Sequence, residues 1–389
     1  RPASATTICA RPSTWAVRRQ RAAALVLAAG VAAGLAGCSQ VGYYGQAVGG
    51  HLELMRARVP IDELLHAPTT DADLRRRLAE VQAIRDFASR ELGLPDNGSY
   101  RSYVDLGRPY VVWNVFAAPE LSLQAKSWCL LVVGCVNYRG YYDRHAAEQL
   151  AAALRAQGYD TYVGGVPAYS TLGHFDDPVL NTFLRLGTLT VARTLFHELA
   201  HQLVFVPGDT PFNESFATAV EQEGLRRWLH EHGSSELQAA DAAQRQRRAA
   251  FTELLQSYRE RFAALYASEL PVAEKRAAKA ALFAGLRNAH AGLRPACGVL
   301  AGDARQVDEN PNNAWLASLA LYSELLPAFE LLLASHDHDL PRFYREVAGL
   351  AALPTSDRHA ALRSLLSEAG SSERPDVATA SGGGDSCRR

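Results

Sequence analysis

This 389-residue chain has no surplus of basic charge, few cysteines and no internal repeat. Its 40 Lys and Arg stand against 41 Asp and Glu. Five of the arginines (Arg1, Arg11, Arg18, Arg19 and Arg21) precede Cys38 with no acid among them, so the remainder carries a formal charge of −6. A mildly acidic body without a basic stripe argues against nucleic acid as a partner. Six cysteines with no Cys-x-x-Cys pair give no sign of a second metal. The length suffices for one large domain or two modest ones.

Residues 1–37 read as a targeting segment, not as fold. Arg18-Arg19-Gln20-Arg21 is a positive start, and Ala22 to Leu35 is an apolar run too short to span a bilayer comfortably. The run ends in Leu35-Ala36-Gly37-Cys38, which resembles the bacterial lipobox. That resemblance implies acylation of Cys38 and a lipid anchor in a membrane. Ser39 after the cysteine then favours the periplasmic face of a Gram-negative outer membrane. An ordinary cleaved signal peptide is the alternative. Export fits an oxidising compartment, where Cys129 and Cys135 could close a small loop or remain two reduced buried thiols. Cys297 and Cys387 are left over.

Apolar positions recur at helical spacing from His51 to Leu65 and from Asp71 to Leu92, with Thr69-Thr70 as a cap. Ser102 to Leu106 and Tyr110 to Phe116 are β-branched and aromatic, hence strands; Leu130 to Val133 could be another. Asp143 to Gln157 reads as an amphipathic helix ending at Gly158, and Asp160 to Val163 as a short strand. From Leu180 onward the pattern predicts helices at 180–205, 213–232, 236–267, 272–291, 313–335, 340–352 and 356–367, with Pro327 kinking or ending the fifth. Arg245-Gln246-Arg247-Arg248 has acids around it and reads as a solvated helix face. The end, rich in Gly and Ser, is expected to be disordered.

Chemistry concentrates in Phe196-His197-Glu198-Leu199-Ala200-His201-Gln202 and in Phe212-Asn213-Glu214-Ser215-Phe216-Ala217. Imidazoles four residues apart lie about 40° apart on a helix, so both can reach one ion. Glu198 sits about 100° from His197 and about 60° from His201, near enough to touch a water beside such an ion without being a ligand. Leu195, Leu199 and Leu203 form the apolar stripe beside this face. Pro207, Gly208 and Asp209 break the helix, and Thr210-Pro211 or Asn213 can cap a second helix bearing Glu214. A helix with two ordinary histidines is the bland alternative.

The two motifs resemble those of gluzincin metallopeptidases, in which a Glu on a following helix completes a zinc site. The chain from Cys38 to about Leu366 also resembles a bacterial family of lipoproteins described as zinc aminopeptidases. Trp128 to Tyr142, Ala168 to Gly173 and Asn312-Asn313 to Tyr322 carry that likeness. The resemblance implies one zinc ion held by His197, His201 and Glu214, Glu198 as general base, and a peptide as substrate. By the same likeness Tyr169, Ser170, Thr171 and Gly173 could line the cleft, although a plain turn accounts for them equally. Tyr322 would be the oxyanion donor, or a core tyrosine. Glu221, two turns beyond Glu214, could orient a ligand histidine or form a salt bridge. Asp176-Asp177-Pro178 reads as a turn, and His174, His336 and His338 as surface or loop histidines.

Two departures from the better-known gluzincin aminopeptidases stand out. The interval from His201 to Glu214 is shorter than their usual one of about 18 residues, and their Gly-x-Met-Glu-Asn segment is absent. The expected fold is α+β and predominantly helical, with a small mixed N-terminal half (38–175) packed on a helical, zincin-like catalytic half (176–368) and a tail at 369–389. The expected activity is zinc-dependent peptide hydrolysis, with aminopeptidase first. An endopeptidase or envelope amidase of the same chemistry, and a non-catalytic zinc-stabilised lipoprotein, are the alternatives.

Overall fold

The computed structural model describes residues 42–130, 134–168, 170–297, 307, 311–320 and 325–372. Cys38, Leu131 to Val133, Tyr169, Tyr322 and the tail from 373 onward lie outside the described residues. The chain divides into two units, Arg1–Glu53 and Leu54–Arg389. The described part of the first is helical, within a helix over 42–56 (α1).

The fold is α+β and predominantly helical. In chain order the second unit contains β1 (Val59–Pro60), α2 (Ile61–His66), α3 (Ala72–Arg90), β2 (Ser102–Val104), β3 (Val112–Pro119), β4 (Trp128–Leu130), β5 (Gly134–Val136), β6 (Arg139–Tyr141), α4 (Arg144–Ala156), β7 (Tyr159–Val166) and β8 (Val179–Leu180). Helices follow: α5 (Asn181–Leu184), α6 (Thr188–Ala200), α7 (Thr210–His232), α8 (Ser235–Ala267), α9 (Val272–Cys297), α10 (Asn313–Ala320), α11 (Leu326–Ser335), α12 (Leu340–Ala351) and α13 (Thr355–Ser372). The strands form an antiparallel sheet in the order β6-β3-β7, a mixed sheet β1-β2-β8 and the hairpin β4-β5. In that hairpin Cys129 faces Cys135 across the register, and the two are disulfide-bonded.

Three departures from the periodicity have local causes. The helix expected over 180–205 is divided: Gly187 adopts φ +89°, a conformation open to glycine, and α6 starts only after it. The helix expected over 313–335 is two helices. Pro327 stands in the first turn of α11, where no N–H is needed, so it opens a helix rather than ending one. At the N-terminal end the run from His51 to Leu65 is broken by β1, and α3 is capped not by Thr69-Thr70 but by Asp71, whose carboxylate accepts from Asp73 and Leu74 N–H groups.

The main core joins α3, α6, α7 and the C-terminal helices. On α3 the buried residues Leu78, Val81, Ile84, Phe87 and Ala88 recur at helical spacing. The Phe87 ring lies 6.0 Å from that of Phe196 on α6 and 5.2 Å from that of Trp228 on α7. Leu195, Phe196 and Leu199 are wholly buried, each contributing roughly 1.5–3 kcal/mol. A Cβ at Gly224 would lie 2.8 Å from the Phe196 ring and 2.7 Å from Leu92, so the missing side chain lets α7 approach this closely. These contacts set the position of α6 against α7.

Candidate metal centre

The buried stripe of α6 (Val191, Ala192, Leu195, Phe196, Leu199, Ala200) leaves His197 and Glu198 beside it on the polar edge. His201 is the C-cap residue, its N–H donating back to the His197 carbonyl. Nine residues later α7 begins. Asp209 caps it by accepting from Phe212 N–H, and Pro211 occupies its first turn. The Asn213 side chain binds the Val206 N–H at 2.8 Å and the Val206 carbonyl at 2.9 Å, so the connection is cinched shut. Arg358 and His359 on α13 hold Asp209 from outside, at 2.6 and 2.9 Å. This tight turn brings Glu214 opposite the two histidines despite the short interval between the motifs.

The donor atoms converge. His197 Nε2 and His201 Nε2 are 3.2 Å apart; His197 Nε2 lies 3.3 Å from Glu214 Oε2, and His201 Nε2 lies 3.8 Å from Glu214 Oε1. One donor from each of the three residues falls within 4.8 Å of the others, the only such group among the described residues. A tetrahedral ion with ligands at about 2.0–2.1 Å needs donor separations of about 3.3 Å, so the set fits zinc. His201 Nδ1 is buried and has no partner among the described residues.

Electrostatics favour a cation here. Burial alone would lower the pKa of His197, but the carboxylates of Glu214 and Glu221 overcome it and raise the value well above normal. His201 is pushed down to about 4 by burial, so its lone pair is free at neutral pH. Burial acts against ionisation of Glu214 and Glu221, yet both stay below the usual carboxylate range because of His197, Glu221 at about 2. Glu198 rises to about 7 through burial and through the like charges of Glu214 and Asp177. A site that holds a proton on His197 between two carboxylates offers the same negative potential to a metal ion.

Of the other residues singled out in the sequence, Glu221 is close by: its Oε2 is 3.3 Å from His197 Nδ1, a contact too poorly aligned for a full hydrogen bond. It faces the ring nitrogen opposite the one that Glu214 meets. Glu221 is therefore also in a salt bridge, with Arg193 at 2.9 Å. The Ser170–Gly173 segment is a turn whose polar atoms are used internally. Ser170 Oγ accepts from Leu172 N–H, and Thr171 donates its N–H and Oγ1 hydroxyl to Asp177 at 2.8 and 3.0 Å. This turn abuts Gln202, next to His201, since a Cβ on Gly173 would sit 3.2 Å from the Gln202 side-chain oxygen. Asn312 and Asn313 tie α10 to β3 and β7 through Thr161, Asp160 and Pro119.

Asp177 is fully buried, and burial raises its pKa to about 6 despite the two Thr171 hydrogen bonds. A folded-state value above the unfolded one of about 3.9 means that the native chain binds this proton more tightly. Asp177 thus costs stability as pH rises from about 4 to about 6, and the loss persists above that. Asp177→Asn should therefore be more stable than wild type at pH 7, by about 1–2 kcal/mol, with the difference vanishing near pH 4. Urea titrations at both pH values check this; equal stability differences would show that Asp177 does not titrate this way.

Sequence reasoning missed two residues: Arg193, one turn before His197, and Asp241 on α8. Nothing marked them, since an arginine in a helix and an acid in a polar helix are ordinary until burial is known. Arg245 and Arg248 belong to the same cluster, at 2.8 Å from Asp241 and 3.7 Å from Glu221. Part of the basic stretch read as a solvated face is thus turned toward buried carboxylates.

The fold and site together define a mainly helical α+β protein with a partly buried His-His-Glu cluster built from two consecutive helices. The chain belongs to the family described as "Putative aminopeptidase", whose family model matches residues 42–362. No curated protein and no solved structure matches it.

Proposed function

We propose that this protein is a zinc-dependent peptidase, with His197, His201 and Glu214 holding the ion and Glu198 acting as general base. The observation that carries this reading is the convergence of those three donors within 4.8 Å, with Glu198 beside them at a pKa of about 7. Family membership supports a peptidase and, more narrowly, an aminopeptidase. When bound, a zinc ion supplies an acidified water and a Lewis acid for the peptide carbonyl. The protein does the rest. Glu198 takes a proton from the attacking water and passes it to the leaving amine, a role suited to a carboxyl group titrating near neutrality. Glu221 orients the His197 ring from its Nδ1 side. Tyr322, which follows α10, is our candidate for the hydroxyl that steadies the developing oxyanion. Tyr169 is the candidate cleft residue beside the 170–173 turn.

Metal analysis of the purified chain, with hydrolysis of free-amine and N-blocked peptides compared, tests the reading. Stoichiometric zinc with cleavage confined to free-amine peptides is expected. Cleavage of N-blocked peptides would make it an endopeptidase, and a chain without zinc or hydrolysis would end the proposal. We further propose export and anchoring through Cys38 at the periplasmic face of a Gram-negative outer membrane. Cys38→Ala should then move the protein from the membrane to the soluble fraction; an unchanged distribution would remove the anchor.

A further inference from the structure

A layered set of charges runs inward from His197, on the side away from the proposed ion. Behind the His197 ring stands Glu221, and the other oxygen of that carboxylate accepts from Arg193 Nη1 at 2.9 Å. Arg193 Nη2 donates to Asp241 Oδ1 at 2.6 Å, and the second oxygen of Asp241 is 2.8 Å from Arg245. The Arg193, Glu221 and Asp241 side chains are 8%, 10% and 1% exposed, and they come from α6, α7 and α8 respectively. Among the described residues, the ion pairs of Arg193 and Asp241 are with Glu221, Arg245 and each other, not with the three donors.

We propose that Arg193, clamped by Asp241, is a positioning residue that fixes the Glu221 carboxylate and through it the ring of His197. On this inference α8, which supplies no ligand, helps to set the metal site. It rests on the metallopeptidase reading above. The physical need is plain: the imidazole torsion is soft, and a 3.3 Å, poorly aligned contact does not lock it unless Glu221 is itself immobile. A glutamate has three torsions and would otherwise swing toward Arg248. The planar guanidinium removes that freedom by bonding two carboxylates from two different helices at once.

Stability alone explains the arrangement poorly. Buried ion pairs seldom outperform apolar packing of the same volume. Arg193 Nε has no partner among the described residues, and a solvent-open pocket of about 180 Å³ lies beside it, lined by Asp241, Arg245, Glu223, Glu330 and His338.

The test compares the wild-type chain with Arg193→Met, Arg193→Lys and Asp241→Asn. Three quantities are read: the rate of zinc transfer to a chelator, the visible spectrum of the cobalt-loaded protein, and thermal unfolding of the metal-free form. Arg193→Met and Asp241→Asn should release zinc roughly 10–100-fold faster and alter the cobalt bands. Arg193→Lys should fall between, since it keeps the charge and loses the fork. If only metal-free unfolding changes, while zinc release and the cobalt spectrum stay at wild type, the inference is overturned and the cluster is structural. Should Arg193→Met fail to fold, Asp241→Asn, which preserves volume, decides by the same criteria. A wild-type chain that takes up no zinc would overturn the metallopeptidase reading and this inference together; zinc uptake with unaffected variants overturns this one alone.

Discussion

Glu198→Gln should bind zinc like the wild type and yet hydrolyse peptides about 100- to 10,000-fold more slowly. The amide matches the carboxylate in shape but cannot accept a proton. Glu198 is not among the three converging donors, so the ion has no reason to leave. The pH profile sharpens the expectation. Burial first, then Glu214 and Asp177, raise the Glu198 pKa to about 7 in the metal-free chain, and a nearby divalent cation pulls that value down. Wild-type turnover should fall on the acid side as Glu198 is protonated, and the residual rate of the variant should lack that limb. Zinc stoichiometry and kcat measured on the same preparation check both halves. Wild-type kcat in the variant would remove Glu198 from the chemistry.

Glu214→Ala should instead lose the metal. The two imidazoles left behind have no third protein donor on the same side, because Glu221 meets His197 at Nδ1 while the donors converge on Nε2. The contrast is thermodynamic as well as chemical. Zinc at 100 times its dissociation constant should stabilise the wild type by about 2.7 kcal/mol, read as a rise in Tm, and leave Glu214→Ala unmoved. Without the carboxylate, His197 also loses the strongest of the groups that hold its charge, so the metal-free variant should itself be less stable below about pH 6.5, a deficit that shrinks as pH rises through the raised His197 value. Retained zinc at wild-type stoichiometry would pass the third ligand position to another acid.

Much of this site was legible in one dimension. The four-residue spacing of His197 and His201 follows from helical geometry alone, and Leu195 and Leu199 beside them announced a buried helix, whereas Leu203, expected on the same stripe, lies past the helix end and is exposed. Asp143 before α4 and Gly158 after it behaved as caps and breaks do. The disulfide between Cys129 and Cys135 was open in the sequence and is closed by the hairpin that sets the two residues opposite each other. Less legible were the helix boundaries. Pro327 fits either the end of one helix or the start of the next, and only the chain on both sides decides which. The short strands β1, β6 and β8 carry two or three residues each, too few for any alternation to show.

What the amino-acid sequence determined by itself was local: a helix with two imidazoles on one face, an acid between them, and a second helix bearing Glu214. It could do so because helical periodicity is a property of neighbours in the chain. Tertiary structure alone decided the rest. The thirteen-residue span from His201 to Glu214 closes into a productive turn because Asn213 grips Val206 and because Arg358 and His359, some 150 positions away, hold Asp209. The same holds for the line from His197 through Glu221 to Arg193 and Asp241, which crosses three helices. Such contacts depend on burial and on distances between remote segments, and no spacing within the chain encodes them.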